Sequence, residues 1–171
     1  MNCCCYQECQ YPCQYVCQTT QCPPISCPPI SCPPISVPEQ IYLFVEGGTI
    51  TIPDSVVTPL TSWNATPTVS TTNFSYNATT GQFYIPSDGI YGITSWLTWT
   101  NLATGNREIV IQVNGTNVSG DTRNGTGAVG TEQNITTIYK CKAGDVISFT
   151  VWQSSGAPLN IIYKNVRIAK I

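Results

Sequence analysis

Cysteines are the residues of this sequence whose type and spacing offer the clearest chemistry. Nine of the ten lie before Val37 and the tenth is Cys141; the nine are Cys3, Cys4, Cys5, Cys9, Cys13, Cys17, Cys22, Cys27 and Cys32. A disulfide framework inside one small domain would spread its cysteines through the core-forming sequence. Because these crowd a segment with few large aliphatic residues, the spacing favours disulfides between chains or the binding of a soft metal.

Three copies of a Cys-Pro-Pro-Ile-Ser repeat occupy residues 22–36. Paired prolines fix φ and push the preceding residue out of the helical region, so this segment should be extended and close to polyproline II. At about 3.1 Å per residue, the repeat places successive cysteines about 15 Å apart and rotated by a third of a turn. We therefore predict an extended connector arm over residues 1–40. A flexible tether is the alternative, although such a tether would use Gly and Ser instead of Pro-Pro.

Metal binding is the other chemistry open to a cysteine-rich arm. No two cysteines have the Cys-x-x-Cys spacing of a structural zinc site, and the sequence contains no histidine. A metallothionein-like thiolate cluster stays open as an alternative. Our prediction is that the chain holds no metal site and no cofactor.

No catalytic constellation is recognisable in the sequence. Without histidine, Ser-His-Asp and Cys-His schemes are excluded, and the few acidic residues are scattered. Cys141 lies between Lys140 and Lys142, and neighbouring cations can lower the pKa of a thiol. A lone cysteine in a strand is more often inert packing, which is the interpretation that we favour. We therefore predict a protein that is not an enzyme.

Sparse charge limits the classes of partner. Charged residues are 9% of the chain and the net charge is −2, which leaves no electrostatic footprint for nucleic acid or an anionic membrane. There is no apolar stretch of about 18 residues for a transmembrane helix. The first residues lack the basic start and apolar run of a secretory signal. We expect synthesis in a reducing cytosol and oxidation of the cysteines later.

From residue 41 onward, short alternating apolar runs are separated by turn-forming residues. The candidate strands are Ile41–Val45, Thr49–Ile52, Phe74–Tyr76, Gln82–Ile85, Gly89–Trp99, Arg107–Val113, Gln133–Tyr139, Val146–Trp152 and Asn160–Ile171. Many short strands without a helical period predict an all-β sandwich or barrel over residues 41–171. The Gly/Asn/Thr-rich stretch Gly115–Gly130 is expected to be an exposed loop.

Three landmarks in this domain resemble the C1q/TNF superfamily. The first is residues 81–97, which resemble a strand pair with Phe83, Pro86, Gly89 and Tyr91 at its characteristic spacing. Residues 109–115 resemble the following strand and hairpin turn, and residues 142–149 resemble the Gly-Asp entry to a late core strand. The resemblance implies a jelly-roll β-sandwich that assembles as a homotrimer. The sequence departs from the family at Tyr163–Ile171 and in having proline-rich repeats in place of a collagen-like segment.

Residue parity nominates two tryptophans as trimer contacts. In the run 90–99, Tyr91, Ile93, Leu97 and Trp99 share the face that we assign to the interior, whereas Trp96 lies on the opposite face. Trp152 is likewise out of phase with the apolar positions of its strand. A large aromatic on an outward face is a candidate interface residue, so we predict Trp96 and Trp152 at the trimer interface.

The whole arrangement resembles exosporium surface proteins and endospore appendage subunits of bacilli: a C1q-like head, a short connector and no conventional signal peptide. It implies a pilus-like, self-assembling fibre on an extracellular or spore surface, built from stacked homotrimers that the arm cysteines cross-link. The partners would be further copies of the chain and a surface anchor protein, with no nucleic acid and no membrane. The alternative is a trimeric receptor-binding or adhesive head that the arm anchors.

Overall fold

The computed structural model of the chain describes residues 40–71, 73–102, 104–126 and 130–171. Within these ranges the secondary structure consists of twelve strands: β1 (Tyr42–Gly47), β2 (Ile50–Ile52), β3 (Thr58–Pro59), β4 (Val69–Ser70), β5 (Ser75–Asn77), β6 (Gln82–Tyr84), β7 (Gly89–Trp99), β8 (Asn106–Val113), β9 (Thr116–Asn124), β10 (Glu132–Cys141), β11 (Val146–Gln153) and β12 (Leu159–Lys170). The arm lies outside the described residues, so its predicted boundary near residue 40 stays a prediction.

The strands form two antiparallel sheets, here called sheet A and sheet B. Sheet A has the order β10-β7-β12-β1-β4, with β2 also paired to β12, and sheet B has the order β5-β6-β11-β8-β9, with β3 paired to β11. Among the described residues there is no helix long and apolar enough to cross a membrane. The predicted all-β sandwich is therefore confirmed.

Alternation of apolar side chains explains how the two sheets face each other. In β7 the side chains of Tyr91, Ile93, Leu97 and Trp99 are fully buried, whereas Trp96 on the other face is 39% exposed. In β11, Ile147, Phe149 and Val151 are buried in the same alternating way. A strand with a period of two must place these side chains between the sheets, and the predicted interior faces are confirmed.

The turn between β8 and β9 follows from its Asn-Gly sequence. Asn114 and Gly115 have φ values of 51° and 76°, which is the pair of positive φ angles that a type I′ hairpin requires. The Asn114 side chain donates to Asp145 Oδ1 at 2.8 Å and accepts from the Val146 backbone N–H at 2.9 Å. The hairpin is thereby tied to the entry of β11.

Part of the loop expected over Gly115–Gly130 is a strand, although its side chains are mostly exposed as expected. Residues Thr116–Asn124 form β9, which pairs with β8 from Val113↔Thr116 to Asn106↔Asn124. This strand contains polar residues and Gly120, and most of its side chains are exposed. Strand β9 lies at one edge of sheet B, and its backbone pairing with β8 holds it in place although it has no apolar face. Its residues have low strand propensity, so the sequence did not predict this strand.

Lys164 and Arg107 are buried inside the sandwich, each near an aromatic ring, and neither forms an ion pair with a carboxylate among the described residues. Lys164 Nζ lies 5.3 Å from the ring centroid of Trp63 and donates to the Gly48 carbonyl. Burial lowers the pKa of Lys164 to about 8. The Arg107 guanidinium lies 5.9 Å from the ring centroid of Trp99, and burial lowers the pKa of Arg107 as well. Charged groups in such surroundings lower the stability of the fold while they remain protonated.

Candidate assembly surface

Exposed apolar side chains concentrate on the outer face of sheet A and its rim. They include Val69, Ile90, Trp96, Ile138, Ile162, Tyr163 and Ile171, each of which is at least about a third exposed. The central positions on the outer face of sheet B are partly buried and mostly polar, as in the alternate residues of β8. A contiguous apolar patch rimmed by polar residues marks an interaction surface in a soluble protein, so sheet A carries the candidate surface.

Trp96 is the centre of an ordered cluster on this face. Its ring meets the ring of Tyr163 edge to face, with centroids 6.2 Å apart. The Tyr163 hydroxyl donates to Glu46 Oε1 at 2.8 Å and accepts from Asn165 Nδ2 at 3.1 Å. Burial is the main reason why the pKa of Tyr163 is raised, which keeps its hydroxyl protonated as a donor. We call Trp96, Tyr163, Asn165 and Glu46 the Trp96 cluster; one ring contact and two hydrogen bonds join its side chains.

The neighbouring row extends this surface across the sheet. Arg167 on β12 places its guanidinium carbon 4.8 Å from the ring centroid of Phe44 on β1, and Val69 on β4 lies opposite Phe44. Trp, Tyr and Arg are the residue types that supply most binding energy at protein interfaces. The outer face of sheet A presents all three within three successive rows.

A shallow pocket of about 190 Å³ adjoins the Trp96 cluster on the side of β10. Its lining residues are Trp96, Arg123, Glu132, Gln133 and Asn134. Arg123 is held at the rim because its Nε lies 2.9 Å from Asp121 Oδ2 and its Nη1 donates to the Glu132 carbonyl at 3.1 Å. The pocket therefore combines an aromatic wall with polar groups that are held in place by hydrogen bonds.

Trp152 lies elsewhere. It occupies the outer face of sheet B on β11, opposite Glu108 of β8, and lines a separate depression of about 140 Å³ with Val57 and Val110 among its neighbours. The structure thus does not bring the two predicted interface tryptophans together. In a three-fold ring each subunit presents two different patches to its neighbours, so Trp96 and Trp152 both stay predictions for the interface.

Cys141 ends β10 and is buried, opposite Gly89 in the sheet. Burial raises the pKa of its thiol to about 11, and the negative charge of Asp145 adds to the effect. Burial therefore outweighs the flanking lysines, and the thiol is protonated and unreactive at neutral pH. The nine arm cysteines lie outside the described residues. Within the ranges that are described, no group of three or more Cys, Asp or Glu side chains could hold a metal ion.

Sequence reasoning missed most of the Trp96 cluster. A bulge in β12 shifts the register between Ile161 and Tyr163, so that Ile162 is an extra residue and the alternation restarts at Tyr163. As a result Tyr163 and Arg167 point outward and Lys164 points inward. The only signal in the sequence was that Tyr163–Ile171 departs from the expected last strand of the resembled family.

No protein-family model matches the chain. One curated relative, an uncharacterised protein of Acanthamoeba polyphaga mimivirus, is 34% identical over a region that covers 71% of this chain and 54% of that protein. The chain therefore spans about half the length of the curated relative that it matches.

Solved structures of several kinds of protein resemble the chain. The vertex protein of PRD1 has a TM-score of 0.59 and 20% identity, covering 77% of this chain and 96% of that one. The Eiger TNF of S. frugiperda has a TM-score of 0.57, 11% identity and coverages of 77% and 92%. The globular domain of the zebrafish complement 1qA protein has a TM-score of 0.56, 12% identity and coverages of 77% and 96%. The described domain is therefore a jelly-roll β-sandwich with the TNF/C1q-like fold.

Proposed function

We propose that this chain is a structural subunit whose jelly-roll head forms a homotrimer through the part of the outer face of sheet A that surrounds the Trp96 cluster. The observation that carries this proposal is the Trp96 cluster: an exposed, aromatic group whose side chains are already held by a ring contact and two hydrogen bonds. Such pre-ordering lowers the entropy lost on binding. The TNF/C1q-like fold supports a trimer, because the resemblance to that superfamily implies one.

The trimers would join into a fibre through the N-terminal arms. Nine cysteines in 40 residues give each trimer many thiols to offer to the next one. A disulfide contributes about 2–4 kcal/mol of stability in monomeric proteins, so several at each junction would resist unfolding and mechanical separation. Cys141 is buried and takes no part in this cross-linking.

An exterior location suits a disulfide-linked assembly, since disulfides persist outside a reducing cytosol. The spore surface is the location that the arrangement of head and arm predicts. The likeness to the vertex protein of PRD1, together with the mimivirus relative, supports a second candidate. In that candidate the trimeric head is a receptor-binding or adhesive element on the outside of a virion, and the arm only anchors it to a surface protein.

Native mass spectrometry of the full chain tests the trimer. One chain has a mass of 18.6 kDa. Under strong reduction the proposal expects a species of three chains and little of any other size at micromolar concentration. Oxidation should then produce ladders in steps of three chains. If the reduced chain is still monomeric at about 50–100 µM, its self-association is no stronger than a weak transient contact. That result would overturn the trimer proposal.

A further inference from the structure

A shallow groove crosses the outer face of sheet A at the end where β1 begins. Four residues of one cross-strand row define it: Tyr42 on β1 is opposite Ala169 on β12, Ala169 is opposite Gly92 on β7, and Gly92 is opposite Ile138 on β10. The two central residues are the two smallest amino acids, so the surface is recessed at the centre of the row. Larger side chains project from the sheet at both ends of the row. The floor is therefore Ala169 and Gly92, and the ends are Tyr42 and Ile138.

Apolar side chains line one wall of this groove. Ile90 and Ile171 lie one row beyond the floor, joined by a hydrogen bond from the Ile171 N–H to the Ile90 carbonyl at 2.9 Å. The Cγ2 of Ile171 is 4.0 Å from the position that a Cβ on Gly92 would take. Ile90, Ile138 and Ile171 are 48%, 66% and 70% exposed. These three exposed isoleucines beside a glycine floor form an apolar surface that is distinct from the Trp96 cluster.

The length of the groove matches one repeat of the arm. From Tyr42 to Ile138 there are three strand-to-strand steps of about 4.8 Å, or about 14 Å in total. One five-residue Cys-Pro-Pro-Ile-Ser repeat in polyproline II would span about 15 Å. Proline-rich segments in this conformation bind shallow grooves that carry aromatic side chains, and they lose little entropy because they are already extended. Tyr42 supplies an aromatic ring at one end, and the exposed Ile138 supplies an apolar side chain at the other.

We propose that the groove over Gly92 and Ala169 binds a Pro-Pro-Ile segment from the arm of a second copy of this chain. The proposal rests on the proposed fibre, in which the arms of one trimer reach the next. Each arm carries three such segments, around Ile25, Ile30 and Ile35. Docking of a segment would place its flanking cysteines at a fixed height on the neighbouring head, so that disulfides form between defined partners.

Binding of a free peptide tests the groove separately from the fibre. The probe is a fluorescent peptide of residues 26–38 with serine at both cysteine positions, and the receptor is the reduced full chain carrying Ile25→Ser, Ile30→Ser and Ile35→Ser. We expect saturable binding by fluorescence anisotropy. Ile138→Ser in the receptor should weaken it about ten-fold, because a largely exposed isoleucine loses its burial. Val56→Ser, which removes a half-exposed aliphatic side chain away from the groove, should leave the affinity within about two-fold.

A second variant distinguishes loss of binding from loss of folding. A Cβ on Gly92 would meet only ordinary van der Waals contacts, so Gly92→Val should fold with an unchanged melting profile while it fills the floor and abolishes binding. Absence of saturable binding, or binding that neither variant weakens, overturns the groove proposal even if trimers form. Binding to a receptor that stays monomeric overturns the trimer and keeps the groove. Filaments of unchanged length from the Ile138→Ser full chain overturn the assignment to a second copy.

Discussion

Replacement of Trp96 by alanine should prevent trimer formation at concentrations where the wild type is fully assembled. Trp96 is 39% exposed in the single chain. A tryptophan has up to about 250 Å² of surface, so about 100 Å² remains available for burial against a neighbour. At about 25 cal/mol per Å², this burial contributes about 2.5 kcal/mol at each interface. A trimer has three interfaces, and the total is about 7 kcal/mol.

This free energy translates into a concentration that can be measured. About 7 kcal/mol corresponds to about five powers of ten in the trimer dissociation constant. The concentration of half-assembly varies with the square root of that constant, so it should rise about 300-fold. Full burial of the ring is an upper estimate, and an increase of about 30-fold or more satisfies the prediction.

Sedimentation velocity of the reduced full chain between 0.1 and 100 µM measures this concentration, within the range set by typical interface affinities. The matched control is Tyr139→Ala, which removes an aromatic ring of similar exposure, 37%, from the side of sheet A opposite to Trp96. It should leave the half-assembly concentration within about three-fold. Thermal melting of both variants monitors the fold. A folded Trp96→Ala variant that assembles like the wild type would refute the assignment of sheet A as the interface.

Three further predictions concern the fold and its cysteine. Lys164 has a pKa of about 8 in the folded state and about 10.5 in the unfolded state. Between about pH 8 and pH 10.5 the unfolded chain therefore binds one more proton than the folded chain. The free energy of unfolding of the wild type rises with pH over this range. The Lys164→Met variant lacks this titrating group, so its free energy of unfolding minus that of the wild type should fall by about 2.5 kcal/mol from pH 7 to pH 10. Denaturant titrations at the two pH values measure this difference. A difference that does not change with pH contradicts the assigned pKa. Cys141 should resist alkylation at pH 8 in the native chain and react only upon unfolding, as peptide mapping would show. Gly105→Ala should lower the free energy of unfolding by more than about 3 kcal/mol, because its Cβ would lie 1.9 Å from the Ser154 carbonyl oxygen. Gly115 has a similar positive φ but open space around it, so Gly115→Ala should lower the free energy of unfolding by only about 1 kcal/mol. Equal losses in the two variants would contradict the packing argument.

The sequence predicted the core of the fold because that core depends on local alternation. The parity of β7 and β11 assigned their buried and exposed faces correctly, since a strand with a period of two leaves no other arrangement once one face is apolar. The Asn114-Gly115 turn was equally secure, because few other residues adopt two successive positive φ angles.

The parts that the sequence could not predict depend on tertiary contacts. Strand β9 has no apolar face and exists because β8 offers it a hydrogen-bonded edge. The bulge at Ile162 decides which side chains of β12 face outward, and a bulge has no reliable signature in one sequence. The surface around Trp96 therefore emerged only from the pairing of β12 with β1 and β7, although Trp96 itself was identified from parity.

Negative-stain electron microscopy of the purified full chain, under oxidising conditions and again after strong reduction, shows whether the chain assembles through its arm. We expect long filaments with a regular axial repeat in the oxidised sample, and their shortening to single trimeric heads on reduction. Isolated heads under both conditions would contradict self-assembly through the cysteine arms and leave the anchored, receptor-binding trimer as the better account.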